Sequence, residues 1–342
     1  MISKSRNVVI NGNFDVWQRG TSFAAIANGS FVADKFKYAY VSSSGVATVS
    51  RDTTTPNACS LYDLKVACTT ADGTVAAGEY VYLQQAIEGT FFQAVRGKPM
   101  VLSFWVKAYQ TGTFCVAICS SGADETFIAE YVIDASATWE KKVIVIPPIP
   151  AGTFATGTNA AAYLRFVLQC GSTLGDGAVG WQAANKLSTS NQTNAYSSTD
   201  NYWQVSQVQL EAGSSATEFE VKDPSEVLAS CQRYLVRYGG TAAYERVGNG
   251  IVVTSSIATI AVNLPVTMRA APAVTYNGAW SWAIFYGNNA RSECTAISMT
   301  NASPQTATIN CTATGTPLTP GEAAQLGTDN TTAARLYLSA EI

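Results

Sequence analysis

The sequence predicts an all-β protein: two antiparallel jelly-roll or β-sandwich domains joined by one α-helix. Three observations predict it. Short runs of alternating or apolar β-prone residues recur along the chain, most of them bounded by Gly, Pro, Asn or Asp. One segment alone, from Asp223 to Tyr238, carries the start and stop signals of a helix. Charged residues are only 13% of the 342 while hydrophobic residues are 47%, with Ser, Thr, Ala, Gly and Asn filling the gap. That mixture suits sheets with neutral polar faces and is too apolar for a disordered chain.

The first domain is expected over residues 1–222. Val8-Val9-Ile10 reads as a short strand closed by Asn11-Gly12-Asn13, and Phe31 to Val49 as loosely alternating strand. In Tyr80-Val81-Tyr82-Leu83-Gln84-Gln85 the alternation sets Tyr80, Tyr82 and Gln84 on one face. Pro99 to Ala108, Thr113–Ser120, Thr126–Ile133, Lys142–Ile146, Tyr163–Gln169 and Tyr202–Leu210 follow as strands. Residues 182–201 are polar and low in complexity. They read as a long exposed loop inside this domain, because the strand after them must complete the sheet. Trp17, Trp105, Trp139, Trp181 and Trp203 read as core residues.

Residues 223–238 read as a linker helix. Asp223 suits the N-cap, Pro224 the first helical position, and Glu226 completes a capping-box-like pattern. Leu228, Cys231, Leu235 and Tyr238 recur at helical spacing, Val227 and Tyr234 widen the stripe, and Gly239-Gly240 end it. Such a stripe suits a domain or subunit interface made by Leu228, Cys231, Tyr234, Leu235 and Tyr238. Residues 239–342 then predict a C-terminal β-sandwich. Its strands are expected at Ile251–Val253, Ile257–Leu264, Ala273–Tyr276, Ala279–Tyr286, Thr295–Thr300, Thr306–Thr312 and Ala334–Ala340.

Charge and composition narrow the function. The net charge is −3, from 21 basic and 24 acidic residues, and no basic run exists, so no nucleic-acid partner is expected. The chain has no histidine, which excludes Ser-His-Asp and Cys-His triads. No phosphate-binding loop, dinucleotide fingerprint or Cys-x-x-Cys pair occurs, so neither cofactor nor metal is expected. The eight cysteines read mainly as free, buried small hydrophobes, with Cys59/Cys68 and Cys294/Cys311 as the disulfide alternatives. No apolar run reaches the roughly 18 residues of a membrane span, and the N-terminus lacks a signal-peptide core. Membrane insertion is not expected, and the chain is expected to be made in a cytoplasm.

Few segments suggest chemistry. The acids leave room for a glycosidase-type carboxylate pair, but no motif marks one, and Asp124-Glu125 reads as a solvated turn. Asp176, in Leu174-Gly175-Asp176-Gly177-Ala178, reads as a tight turn, with calcium as the alternative. Trp280 and Trp282 are two apart on a predicted strand and would point the same way, with Tyr286 beside them. They form either the inner face of the second domain or, if exposed, a platform on which Trp280, Trp282 and Tyr286 stack against sugar rings.

Four segments resemble a known family. Asn11-Gly12-Asn13-Phe14-Asp15-Val16-Trp17-Gln18-Arg19-Gly20-Thr21-Ser22-Phe23, followed by Ala33-Asp34-Lys35-Phe36, resembles the start of many bacteriophage and prophage virion fibre or spike proteins. Lys35-Phe36 departs from the Arg-Trp pair of that family. Gln209-Leu210-Glu211 with Thr217, Phe219 and Glu220, then Glu226 to Tyr234 ending in Cys231-Gln232-Arg233-Tyr234, is similar to its joint segment. Leu264-Pro265-Val266-Thr267-Met268-Arg269-Ala270-Ala271-Pro272 and the closing Ala340-Glu341-Ile342 complete the likeness. The resemblance implies a jelly roll like a carbohydrate-binding module, a linking helix and a receptor-facing C-terminal β domain. It also implies a homotrimer on a virion, bound to other phage head or tail proteins and adhering to host polysaccharide. Alternatives are a head-decoration or tail-connecting protein with an assembly role only and, further off, a polysaccharide depolymerase. The leading expectation is a non-enzymatic adhesin.

Overall fold

The computed structural model describes residues 5–287 and 290–342. The chain divides between Val227 and Leu228 into two compact units. The fold is all-β with antiparallel sheets, as the alternation predicts.

The strands of the first unit are β1 (Ser22–Phe23), β2 (Phe36–Val41), β3 (Val46–Asp52), β4 (Asp63–Thr70), β5 (Tyr80–Glu88), β6 (Met100–Ala108), β7 (Gly112–Ser120), β8 (Thr126–Ile133), β9 (Glu140–Ile146), β10 (Ala160–Cys170), β11 (Gly180–Gln182) and β12 (Tyr202–Ala212). A helical turn, α1 (Gly89–Phe92), follows β5. One six-stranded sheet runs β1-β3-β4-β12-β6-β9 and the other β11-β8-β7-β10-β5-β2. Strands distant in sequence are neighbours in both sheets, as in a jelly roll. Alternate residues of each sheet point inwards to one shared core. Its centre is aromatic: Phe104 meets Tyr131 and Phe166 edge-on, each at 5.1 Å, and the Trp203 indole N–H donates to the Tyr131 hydroxyl at 3.1 Å. Trp17 and Trp203 are core residues as expected. Trp105 and Trp139 are half-buried instead, and Trp181 packs on the core margin.

Val8-Val9-Ile10 is not a strand. It belongs to an irregular segment laid along β12, where Val8 N–H donates to the Leu210 carbonyl at 3.0 Å and Val208 N–H to the Gly12 carbonyl at 2.8 Å. Only glycine fits at position 12, because an added Cβ would sit 2.1 Å from the Val208 carbonyl oxygen. Where this segment docks, β12 bulges. Its register with β6 shifts between Ser206 and Gln209, and Gln207 takes a left-handed φ of 51°. The chain after β12 is bound to the same place. Glu211 accepts from the Thr217 N–H at 2.9 Å and pairs with Arg6 at 3.2 Å, while Glu220 accepts from the Asn7 N–H at 2.9 Å. Main-chain bonds of Val8 and Gly12, with the polar contacts of Arg6, Asn7, Glu211 and Glu220, therefore tie both flanking segments to β12 beside the bulge.

In the second unit, β13 (Leu235–Tyr238), β14 (Arg246–Val252), β15 (Ile257–Asn263), β16 (Ala273–Tyr276), β17 (Trp282–Tyr286), β18 (Ala290–Ala302), β19 (Thr306–Ala313), β20 (Ala323–Thr328) and β21 (Leu336–Ser339) follow a helix, α2 (Pro224–Gln232). Six of them close into a barrel, β14-β15-β19-β18-β17-β20, beside a three-stranded sheet β13-β21-β16. The expected sandwich is thus closed on itself. β20, which the alternation did not predict, pairs with both β14 and β17 and so removes two open edges.

The helix starts as predicted: the Asp223 carboxylate accepts from the Ser225 N–H at 2.8 Å. It is shorter than predicted, stopping at Gln232 rather than Tyr238. Leu235 and Tyr238 lie on β13, where they pair with Ser339 and Leu336 of β21. β-prone residues at 235–238 gain a full ladder there, which outweighs continuation of the helix. The expected single stripe is therefore split. Cys231, Tyr234 and Leu235 are buried, Tyr238 is half-buried, and Leu228 is 37% exposed. All eight cysteines are free thiols, so neither disulfide alternative is formed. Cys59 is exposed and Cys68 buried, whereas Cys294 and Cys311 share the barrel core.

Candidate functional site

The expected aromatic strip on the second unit does not form. Trp282 begins β17 and is fully buried in the barrel core. Trp280 lies in the 3₁₀ turn Ala279–Ser281 just before it and is 59% exposed. The two indoles do not alternate along one strand, so their spacing places them in different environments. Tyr286 is half-buried against the barrel core.

The other segments singled out for chemistry are structural. The Asp124 carboxylate accepts from the Ser120 hydroxyl at 2.6 Å, the Thr153 hydroxyl at 2.6 Å and the Thr153 N–H at 2.9 Å. These bonds, that from Ser120 foremost, bring its pKa down to about 2. Glu125 is buried beside it. Asp176 is taken by the Lys186 ammonium. Among the described residues no group of three or more His, Cys, Asp or Glu is placed to hold a metal ion. Nor is any helix long and apolar enough to cross a membrane.

The face predicted from the alternation of β5 does assemble. Tyr80, Tyr82 and Gln84 point outwards from the second sheet and face neighbours on both sides: Gln84 is opposite Lys37 of β2 and Arg165 of β10. The Tyr80 and Tyr82 rings stack 5.3 Å apart at 8°. The Arg165 guanidinium lies 4.9 Å from the Tyr82 ring and 5.1 Å from the Tyr163 ring. Its Nε–H donates to the Gln84 side-chain oxygen at 2.8 Å, which fixes the plane of the fork. Tyr80, Tyr82, Arg165 and Tyr163 therefore form one continuous stack. Tyr82 is nearly buried within it, and Tyr80, Tyr163 and Arg165 are half-exposed. Burial pushes the Tyr82 phenol pKa up against the pull of Arg165, so the phenol keeps its proton and donates.

The segment expected as an exposed loop limits this face. Leu187 is buried on the outer side of the second sheet with Cys115, Ala117, Ile128 and Val167. Gln192 accepts from the Cys115 N–H at 2.8 Å and donates to the Val167 carbonyl at 3.1 Å, where the β7–β10 ladder ends. Thr189 and Asn191 bond the Glu130 carboxylate. Polar composition concealed this role, because the segment is held by side-chain bonds to sheet backbone more than by apolar burial. It covers the β7–β8 side and leaves the stack open. The carboxylates nearby are engaged: Glu130 as described, and Glu88 by the Thr90 hydroxyl at 2.5 Å. The open face offers flat apolar rings and a fixed donor fork, the two features that hold a pyranose by its C–H face and its hydroxyls.

No protein-family model matches the chain. No curated protein matches it either. Solved structures do match. The enzymatically active domain of tailspike protein 4 from bacteriophage CBA120 is 15% identical with a TM-score of 0.31; the match covers 56% of this chain and 21% of that one. A Bacteroides thetaiotaomicron protein assigned to sugar binding is 14% identical with a TM-score of 0.36, covering 60% of this chain and all 100% of that one. A family 11 carbohydrate-binding module from Clostridium thermocellum, solved with a β-1,3-1,4-mixed-linked tetrasaccharide, is 9% identical with a TM-score of 0.30, covering 58% and 99% respectively. Likeness this distant assigns no ligand.

Proposed function

We propose that the chain is a bacteriophage virion fibre or spike protein that holds host-surface polysaccharide on the outer face of its N-terminal sandwich. The observation that carries the polysaccharide reading is the Tyr80–Tyr82–Arg165–Tyr163 stack. A neutral sugar lies with its C–H face on Tyr163 or Tyr80, and its hydroxyls take bonds from Arg165 and the phenols. No step of bond making is involved. The motif resemblance supports the virion setting and a homotrimer, in which several weak sites on one particle act together.

The test uses the full chain and host-surface polysaccharide. Arg165→Ala and Tyr163→Ala each weaken binding at least about tenfold while a thermal melt stays cooperative. Wild-type binding by both variants would overturn the site. A second reading, assembly without a receptor, is favoured by the exposed Trp280, Ile251 and Val253 of the second unit, at 59%, 50% and 53%. It predicts that the chain sediments as an oligomer but retains no polysaccharide.

A further inference from the structure

The opposite face of the same sandwich carries a small open cleft of about 180 Å³. It lies over β6 at the bulge of β12. Trp105 of β6 lines it, and Lys141 stands beside Trp105 as its cross-strand partner on β9. The wrapped segment after β12 contributes Glu218 and Phe219, and the loop between β3 and β4 contributes Asn57 and Cys59.

Two features define this cleft. The first is its construction. Gln207, strained at φ 51°, is 5% exposed and donates to the Asn57 side-chain oxygen at 2.6 Å and to the Ser60 hydroxyl at 3.1 Å, which holds the loop against the bulge. The second is unused charge. In the wrapped segment Glu211 and Glu220 are bonded to Thr217, Arg6 and Asn7, and the Glu218 main-chain carbonyl accepts from Arg6. Among the described residues, the Glu218 carboxylate and the Lys141 ammonium have no side-chain partner and do not pair with each other. Two aromatic side chains, a cation and an acceptor lining one cleft match one ligand chemistry. The ring lies on Trp105 and Phe219, a carboxylate meets Lys141, and hydroxyls across the ring donate to Glu218.

We propose that this cleft is a second glycan site, selective for a carboxylate-bearing sugar, and independent of the neutral-sugar stack on the other sheet. The probes are trigalacturonate, its methyl ester and a neutral hexose trisaccharide, titrated calorimetrically into the full chain. The free acid binds, the ester binds at least about tenfold more weakly, and added salt weakens only the acid. Lys141→Ala removes the preference for acid over ester, and Glu218→Gln weakens acid and ester alike. Both residues are exposed, so neither change threatens the core. Arg165→Ala leaves acid binding intact, which separates this site from the stack. Bound acid also slows alkylation of Cys59, the exposed thiol at the rim. The proposal is overturned if trigalacturonate does not bind, if acid and ester bind equally, or if Lys141→Ala leaves the preference unchanged.

Discussion

The two outer faces of the N-terminal sandwich are built from strands of similar length and equal number, yet they handle charge in opposite ways. On the second sheet Arg165 is sandwiched between aromatic rings, Gln84 fixes its plane, and the flanking carboxylates are bonded to threonines. On the first sheet both signs crowd together. The Lys107 ammonium donates to the Thr54 hydroxyl at 2.7 Å and lies 5.0 Å from the Trp139 ring. Gln204 donates to Asp63 at 2.7 Å, while the other Asp63 oxygen is buried without a partner. Burial first, and then Asp52 directly opposite, raise the Asp63 pKa to about 6. One face is rigid and satisfied. The other keeps an incompletely compensated acid and unused charges at its cleft.

The largest expected effect breaks the first face. Gly12→Ala forces a Cβ onto the Val208 carbonyl and should cost about 3 kcal/mol or more, read as a fall in the denaturation midpoint. An unchanged midpoint would show that the N-terminal segment does not hold the bulge.

The next effect is electrostatic. A folded-state pKa above the unfolded value means that the folded chain binds the Asp63 proton more tightly. This contribution to stability is present at low pH and is lost as pH rises from about 4 to about 6. Asp63→Asn removes that loss and should be more stable than wild type by about 1–3 kcal/mol above pH 7, with the advantage vanishing near pH 4. Other carboxylates titrate in the same window, so the difference between the two proteins is the quantity to measure. Equal stability at pH 8 would rule out the buried, uncompensated acid.

A smaller change sharpens the second face. Arg165→Lys keeps the charge but loses the planar fork, and should cost about 1 kcal/mol while reducing neutral-glycan binding. Retention of both would mean that charge alone matters. The smallest effect lies outside both faces. Trp280→Ala should change stability by less than about 0.5 kcal/mol, as its 59% exposure implies.

Much of the scaffold was legible in the chain. Period-two alternation located most strands within a few residues, and it put Tyr80, Tyr82 and Gln84 on one face, which is where the stack stands. The same rule failed at Trp280 and Trp282, because a 3₁₀ turn sits between the alternation and the strand. It also missed β20, whose Ala-Ala-Gln-Leu-Gly-Thr has few bulky β-formers and is held by ladders on both sides. The helix was overextended because helical spacing in Leu235 and Tyr238 is also compatible with a short strand.

The sequence by itself determined the all-β class, the helical joint and the absence of histidine chemistry, because these follow from local periodicity, capping and composition. Only the tertiary structure decided which residues share a face. Tyr82 and Arg165, or Trp105, Lys141 and Glu218, come together through strand pairing across tens of residues. Local pattern sets the direction of a side chain, but its neighbours are set by which strands share a ladder, and that is decided by burying one common core.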